Sequence, residues 1–202
     1  MHQHRPLILA SSSRYRRELF GRLGLRFEWE SPHADETPLE NESSDATALR
    51  LAEVKARAVA VKHPGAVVIG SDQVAACEGK QFGKPGNHAN ALAQLQMLRG
   101  RVATFSTALC VAASNADGET MVQTDVAQTV VHFRSWSDAE LETYLRIETP
   151  YDCAGSAKAE GLGIVLLERI ESDDPTALIG LPLIRLVSML RTLGYPLLSR
   201  RP

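Results

Sequence analysis

Short apolar runs alternate along the chain with amphipathic stretches of helical spacing. Leu7–Ala10 is an apolar run read as a strand, and Arg14–Leu23 is read as a helix, with Ser13 at its N-cap and Gly24 stopping it. Phe27–Glu30 is a second short strand. Ser31 to Ser44, holding Pro32 and Pro38, is a polar loop long enough to expect function of it. Asp45 is expected to cap a helix whose Leu51, Val54, Ala58 and Val61 repeat at helical spacing as far as His63-Pro64. Ala66–Ser71 is continuously apolar, the mark of a strand buried on both faces. Asn87 opens a helix over Ala91–Leu98, closed by Gly100. Val102–Ala113 and Thr120–Phe133 flank the hairpin signal Asn115-Ala116-Asp117-Gly118. Ser137 and Glu140 form a capping box for a helix to Ile147. The loop Thr149–Gly161 leads to a strand at Ile164–Ile170. Pro182 begins a last helix carrying Leu186, Leu190 and Leu193, with Gly194 just beyond.

Strands and helices alternating around one long hairpin predict an α/β fold: a mixed β-sheet with flanking helices. The 202 residues are read as one domain, 1–202, with room for two lobes. Hydrophobic residues at 44% and charged residues at 23% are ordinary for a globular protein. The formal charge of -2 provides no global field for nucleic acid or membrane. Locally, Arg14, Arg16, Arg17, Arg22 and Arg26 cluster, whereas Glu28 to Asp45 holds only acids among its charged residues. Cys77, Cys110 and Cys153 are odd in number and lack CxxC spacing, against a disulfide framework or zinc knuckle. The first residues lack the apolar core of a signal peptide, and Ala177–Val187 is too short and interrupted to span a bilayer. A reduced, cytoplasmic setting is the expectation.

Common catalytic templates are absent: no G-x-x-x-x-G-K-S/T, strand-linked GxGxxG, HExxH or GxSxG. The chemistry therefore falls to arginines, lysines and carboxylates. The segment Ser11-Ser12-Ser13 before the first helix presents unpaired N–H groups, which with Arg16 and Arg17 suit an anion such as phosphate. A capped helix with a solvated basic face has the same signature. Asp72 is placed at the C-terminal end of its strand, where α/β sheets gather ligands, and a carboxylate there can take a proton from water or bind a cation. An Asp after a strand more often satisfies turn N–H groups. Asp35-Glu36 offers hard oxygens for Mg²⁺ or Mn²⁺. Lys55, Lys84 and the small-residue loop holding Lys158 and Glu160 complete the candidates, none decisive alone.

Together these segments are specific. From its first strand to its last helix the chain resembles the Maf family of nucleotide pyrophosphatases. The resemblance rests on Leu-Ala-Ser-x-Ser-x-x-Arg-Arg at Leu9–Arg17, Asp-Glu-Thr-Pro at Asp35–Pro38, Lys55, Gly-Ser-Asp-Gln at Gly70–Gln73 and Gly-Lys-Pro at Gly83–Pro85. Gln73 and Cys-Ala-Gly-Ser-x-Lys-x-Glu-Gly at Cys153–Gly161 look like the branch hydrolysing 7-methyl-GTP. The branch acting on dTTP and UTP has Thr in place of Gln73 and Gln in place of Glu160. The chain departs from the family at Arg14, where proline is common, and at Tyr15, where the branch often has tryptophan.

The resemblance implies two lobes around a cleft, as in Maf and ITPase-type proteins, and cleavage between the α- and β-phosphates with a divalent cation, Mg²⁺ or Mn²⁺. Ser13, Arg16, Arg17, Lys55 and Lys84 would bind the phosphates, Glu36 the metal, and Asp72 would activate water. Tyr15, Gln73 and Glu160 would choose the base: a carboxylate accepts the N1–H and N2–H₂ donors of guanine together, and N7 methylation makes that base cationic, favouring an aromatic face. A small-molecule nucleotide is thus the expected partner, with no nucleic acid or membrane, and a homodimer is implied. The rival readings are a dTTP- or UTP-type pyrophosphatase and a nucleotide-binding regulator of cell division without turnover.

Overall fold

The computed structural model describes residues 5–37, 39–114 and 120–198. Seven strands among them form one sheet in the order β2-β1-β3-β5-β6-β7, with β4 paired to β3 outside that row. The first strand, β1 (Leu7–Ala10), is wholly buried and runs parallel to both β2 (Glu28–Glu30) and β3 (Val67–Cys77). Between β1 and β2 lies α1 (Arg14–Gly21), capped as expected by Ser13, whose Oγ accepts from the Arg16 N–H at 3.4 Å.

The second helix, α2 (Ser44–Ala60), corrects two expectations. Its N-cap is Ser43, accepting from Ala46 N–H at 3.2 Å. Asp45 instead sits in the first turn, where the helix dipole favours an acid, and its carboxylate accepts from Ser106 and Gln128. The buried stripe is Ala48, Ala52, Ala56 and Val59 rather than the Val54–Val61 series, because Val54 and Val61 face solvent. Small residues win that face since α2 crosses β3 very closely. A Cβ on Gly70 would lie 2.2 Å from the Ala52 carbonyl oxygen.

The apolar run expected to end at Ser71 continues to Cys77 and then reverses. Glu78 and Gly79, both with positive φ (49° and 79°), form a two-residue turn into β4 (Lys80–Phe82). Asn87 caps α3 (His88–Leu98), and the capping box of Ser137 and Glu140 opens α4 (Asp138–Glu148), both as read. The long strands β5 (Val102–Ser114) and β6 (Thr120–Phe133) pair antiparallel from Val102–His132 to Ser114–Thr120. The expected turn Asn115–Gly118 between them lies outside the described residues. Two 3₁₀ turns, Ala154–Ser156 and Leu162–Leu166, follow α4, and the second displaces the next strand to β7 (Leu167–Ser172). The final helix, α5 (Leu183–Thr192), starts after Pro182.

Three buried clusters hold these elements. One lies under α1, α5 and β1; one packs α2 on the sheet; the third joins α3, α4, β4 and the far halves of β5 and β6. The sequence's mixed α/β sheet with flanking helices is what forms, and the gap between the third cluster and the other two is the cleft.

Candidate functional site

Asp72 owes its position to a mismatch in strand length. β1 stops at Ala10, paired with Gly70, while β3 runs on for seven more residues beside β5. Asp72 therefore lies within β3, not at its end as the sequence reading placed it, yet two residues beyond its parallel neighbour. That missing neighbour opens its side chain to the cleft. The α2 helix, pressed onto Gly70, delivers Lys55 from above. The Lys55 Nζ lies 2.6 Å from Asp72 Oδ1 and 2.9 Å from Glu36 Oε2, with Lys55 only 5% exposed and Asp72 7%. A buried ammonium needs such compensation, and two carboxylates supply it.

Ser13, Arg16 and Lys84 line the same cavity. The Arg16 Nε donates to the Gly180 carbonyl at 2.8 Å, and Ser71 Oγ donates to the same oxygen at 3.0 Å. Burial lowers the Arg16 value from the usual guanidinium range, while Asp72 and Glu36 raise it; an arginine so placed stays charged. Gly180 itself has φ 119°, a backbone state closed to side chains, and it lines the cavity with Leu178 and Ile179. Lys84 stands exposed on the rim. Arg17 is turned away: its guanidinium lies 4.1 Å over the Trp29 ring and does not line the cavity. Asp35 is likewise occupied elsewhere, its Oδ1 accepting from Thr37 N–H (2.9 Å) and Thr37 Oγ1 (2.6 Å).

Tyr15 and Glu160 also line the cavity. Arg14, where the family commonly has proline, donates to Tyr15 Oη at 3.2 Å and covers its ring at 4.8 Å. Desolvation, helped by the nearby Glu148 and Asp152 and opposed by Lys158, lifts the Glu160 carboxyl above its ordinary value although the residue is exposed to solvent. The loop carrying Glu160 is fixed from beneath. Lys158 pairs with Glu148, whose other oxygen accepts from Leu162 N–H at 2.6 Å. The buried Tyr144 Oη donates to Ser156 O (3.2 Å) and accepts from Lys158 N–H (3.1 Å). Gln73 turns its amide to the opposite wall, donating to Ala177 O (3.1 Å), Leu178 O (3.0 Å) and Thr107 Oγ1 (2.9 Å).

The cavity encloses about 710 Å³, enough for a nucleotide. Nine of the ten expected residues line it: Ser13, Tyr15, Arg16, Glu36, Lys55, Asp72, Gln73, Lys84 and Glu160, with Arg17 left outside. Phe105, Asp152, Leu178 and Gly180, which also line the cavity, carry no signal in the sequence; the carbonyls of Leu178 and Gly180 are met by residues more than one hundred positions away. Cys153 also faces in, but burial, Asp152 and Glu160 push its thiol up to about 12, so it is not a nucleophile at neutral pH. Among the described residues no group of three or more His, Cys, Asp or Glu is placed to hold a metal. The donors present are two hard carboxylates, Glu36 and Asp72. That set fits a cation such as Mg²⁺, which takes one or two carboxylates and completes its shell with water and substrate phosphates.

A family model described as Maf-like protein matches residues 6–193. A 7-methyl-GTP pyrophosphatase of Cupriavidus metallidurans is 63% identical over 191 residues, covering 94% of both chains. One of Ralstonia nicotianae is 62% identical over 195 residues, covering 96% of this chain and 98% of the other. Among solved structures, a nucleoside-triphosphatase of Mycobacterium abscessus aligns over 62% of this chain and 74% of that one, at 23% identity and a TM-score of 0.35.

Proposed function

The chain belongs to the Maf-like protein family, and from that premise we propose that it hydrolyses 7-methyl-GTP to 7-methyl-GMP and pyrophosphate. The observation that carries this reading is the pairing of Asp72 with Lys55 at 2.6 Å inside a cavity that also reaches Glu160. Cations and a candidate base line the same cavity as an acid, Glu160, and an aromatic ring, Tyr15.

In this reading Ser13, Arg16 and the N–H groups of α1 take the triphosphate, with Lys84 closing from the rim. Arg17 contributes charge from behind α1 rather than direct contact. Asp72 accepts a proton from water as the water oxygen attacks the α-phosphorus. The bond from that phosphorus to the α–β bridging oxygen breaks, and pyrophosphate leaves with the bond's electrons. Lys55 and Arg16 offset the negative charge gathering on the leaving group. Glu36 and Asp72 would hold the divalent cation, which supplies further neutralisation of the phosphates. Tyr15 stacks on the cationic 7-methylguanine and Glu160 accepts its N1–H and N2–H₂. Gln73 acts on base choice through the Ala177–Leu178 wall that its amide holds. The setting is the cytoplasm, and the enzyme works as one domain on a free nucleotide, alone or as a homodimer.

The test is pyrophosphate release from a panel of 7-methyl-GTP, GTP, dTTP and UTP with Mg²⁺ or Mn²⁺. Preference for 7-methyl-GTP is expected; preference for dTTP or UTP would transfer the chain to the other branch. Nucleotide binding with no release from any of them would leave the regulator reading.

A further inference from the structure

Glu36 sits in a long polar segment, 31–43, whose described residues pair with no strand, so other contacts must hold its carboxylate at Lys55. The contacts that do so converge on one residue of α2. Arg50 grips Glu42 with two parallel hydrogen bonds, Nε to Oε1 at 2.7 Å and Nη2 to Oε2 at 2.8 Å, and Nη2 also reaches the Thr37 carbonyl at 3.3 Å. It therefore touches the segment on both sides of its outer bend, one residue after Glu36 and one residue before the Ser43 cap. The far side of the grip is tied as well: Thr47 Oγ1 donates to Glu42 Oε2 at 3.1 Å, and Gln81 Nε2 of β4 donates to the Glu42 carbonyl at 2.7 Å. The Arg50 and Glu42 side chains are only 26% and 17% exposed, so this fork is not a loose surface pair. Arg50 and Lys55 lie five residues apart on α2, so one helix holds the segment at two points, the backbone through Arg50 and the Glu36 carboxylate through Lys55.

We propose that Arg50 is a positioning residue that clamps the Glu36 segment onto α2 and so places the Glu36 carboxylate in the cavity beside Asp72. The proposal rests on the reading above for what Glu36 does once placed. A lysine at position 50 keeps the charge but loses the fork that engages Glu42 and Thr37 together.

Chymotrypsin cleavage after the exposed Leu39, under native conditions, reports opening of this segment without any substrate. Arg50→Met should raise that cleavage rate about tenfold, because it loses the whole fork, and Arg50→Lys by less, because it keeps the charge near Glu42. The Mn²⁺ concentration giving half-maximal pyrophosphate release should rise in parallel, with the KM for nucleotide within about twofold of wild type. Glu42→Gln, which leaves Arg50 intact, should reproduce both effects in weaker form and serves if Arg50→Met does not fold. Cleavage and Mn²⁺ dependence unchanged in both Arg50→Met and Glu42→Gln would overturn the clamp. A wild-type protein releasing no pyrophosphate would overturn the functional reading instead, and the cleavage rates would still decide the clamp.

Discussion

At the scale of the residue, the site sets two carboxylates in opposed environments. Asp72 is buried against an ammonium at 2.6 Å, whereas Glu160 has no such direct cation and is lifted by desolvation and by its acidic neighbours. Lys55 holds the Asp72 carboxylate in place; Asp72→Asn removes the proposed proton acceptor while keeping the shape. Its turnover should fall by about 10²–10⁴-fold, the usual weight of general base catalysis, with nucleotide affinity within a few-fold of wild type by equilibrium binding. Turnover near wild type would remove Asp72 from the chemistry. For Glu160 the sign of the linkage runs the other way from a paired acid. A carboxyl whose folded value is raised is destabilising when ionised, so its cost is present at neutral pH and relieved as pH falls through that raised value. Glu160→Gln should therefore raise Tm slightly at pH 7 and not at pH 4, while reducing the kcat/KM preference for 7-methyl-GTP over GTP. A loss of Tm at pH 7 would show that the carboxylate is stabilised by partners. In wild type, that preference should decline on acidification at a pH above the ordinary glutamate range, which a pH series of kcat/KM for both nucleotides would register.

At the scale of the element, the contact of α2 with β3 decides whether Lys55 meets Asp72. Ala48, Ala52 and Ala56 bring the helix down, and Gly70 receives it with no side chain. Gly70→Ala would drive a methyl to 2.2 Å from the Ala52 carbonyl and 2.8 Å from the Ala56 nitrogen, neither of which can swing aside. The helix must lift, at a cost of about 1–3 kcal/mol or more from overpacking, and turnover should fall with it because Lys55 rides the same helix. Thermal unfolding and pyrophosphate release would check both; unchanged Tm would mean that the two elements slide freely. Much at this scale was legible beforehand. Ser13, Asn87 and the Ser137–Glu140 box are capping chemistries that act within four residues, and sequence displays them directly. The α2 stripe was misread because its apolar valines are more hydrophobic than its alanines. What selects the buried face is the closeness of β3, a fact about a residue eighteen positions beyond Ala52. The β3–β4 turn escaped notice for a related reason: Glu78 adopts φ 49° only because the flanking strands demand it. The roles of Arg16 and Arg17, equivalent in sequence, separate only when Gly180 and Trp29 arrive to receive them.

At the scale of the whole molecule, the cavity is built from segments separated by most of the chain. α1, β3, the Cys153–Glu160 loop and residues 178–180 all contribute to its lining. The end holding Lys55 and Asp72 rests on the clusters around β1, α1, α2 and α5, and the end holding Glu160 on the cluster around α3, α4 and Phe105. Motif order along the chain anticipated nine of the residues that line the cavity, since each motif keeps its own local chemistry. It could not reveal the polar ties between walls, such as Gln73 to Ala177 and Leu178, or Tyr144 to the Glu160 loop, because neither partner is near the other in sequence. A nucleotide spanning the cavity would touch both sides at once, so its binding energy should appear as stability of the whole fold. In Asp72→Asn, where turnover is suppressed, 7-methyl-GTP at about one hundred times its Kd should stabilise by about 2.7 kcal/mol. For a chain of this size that corresponds to a rise in Tm of about 5–10 °C. GTP at the same concentration should give a smaller shift, because it lacks the positive charge that Glu160 and Tyr15 face. Equal shifts from the two nucleotides would place their recognition in the phosphates alone, and no shift from either would mean that the cavity does not bind them.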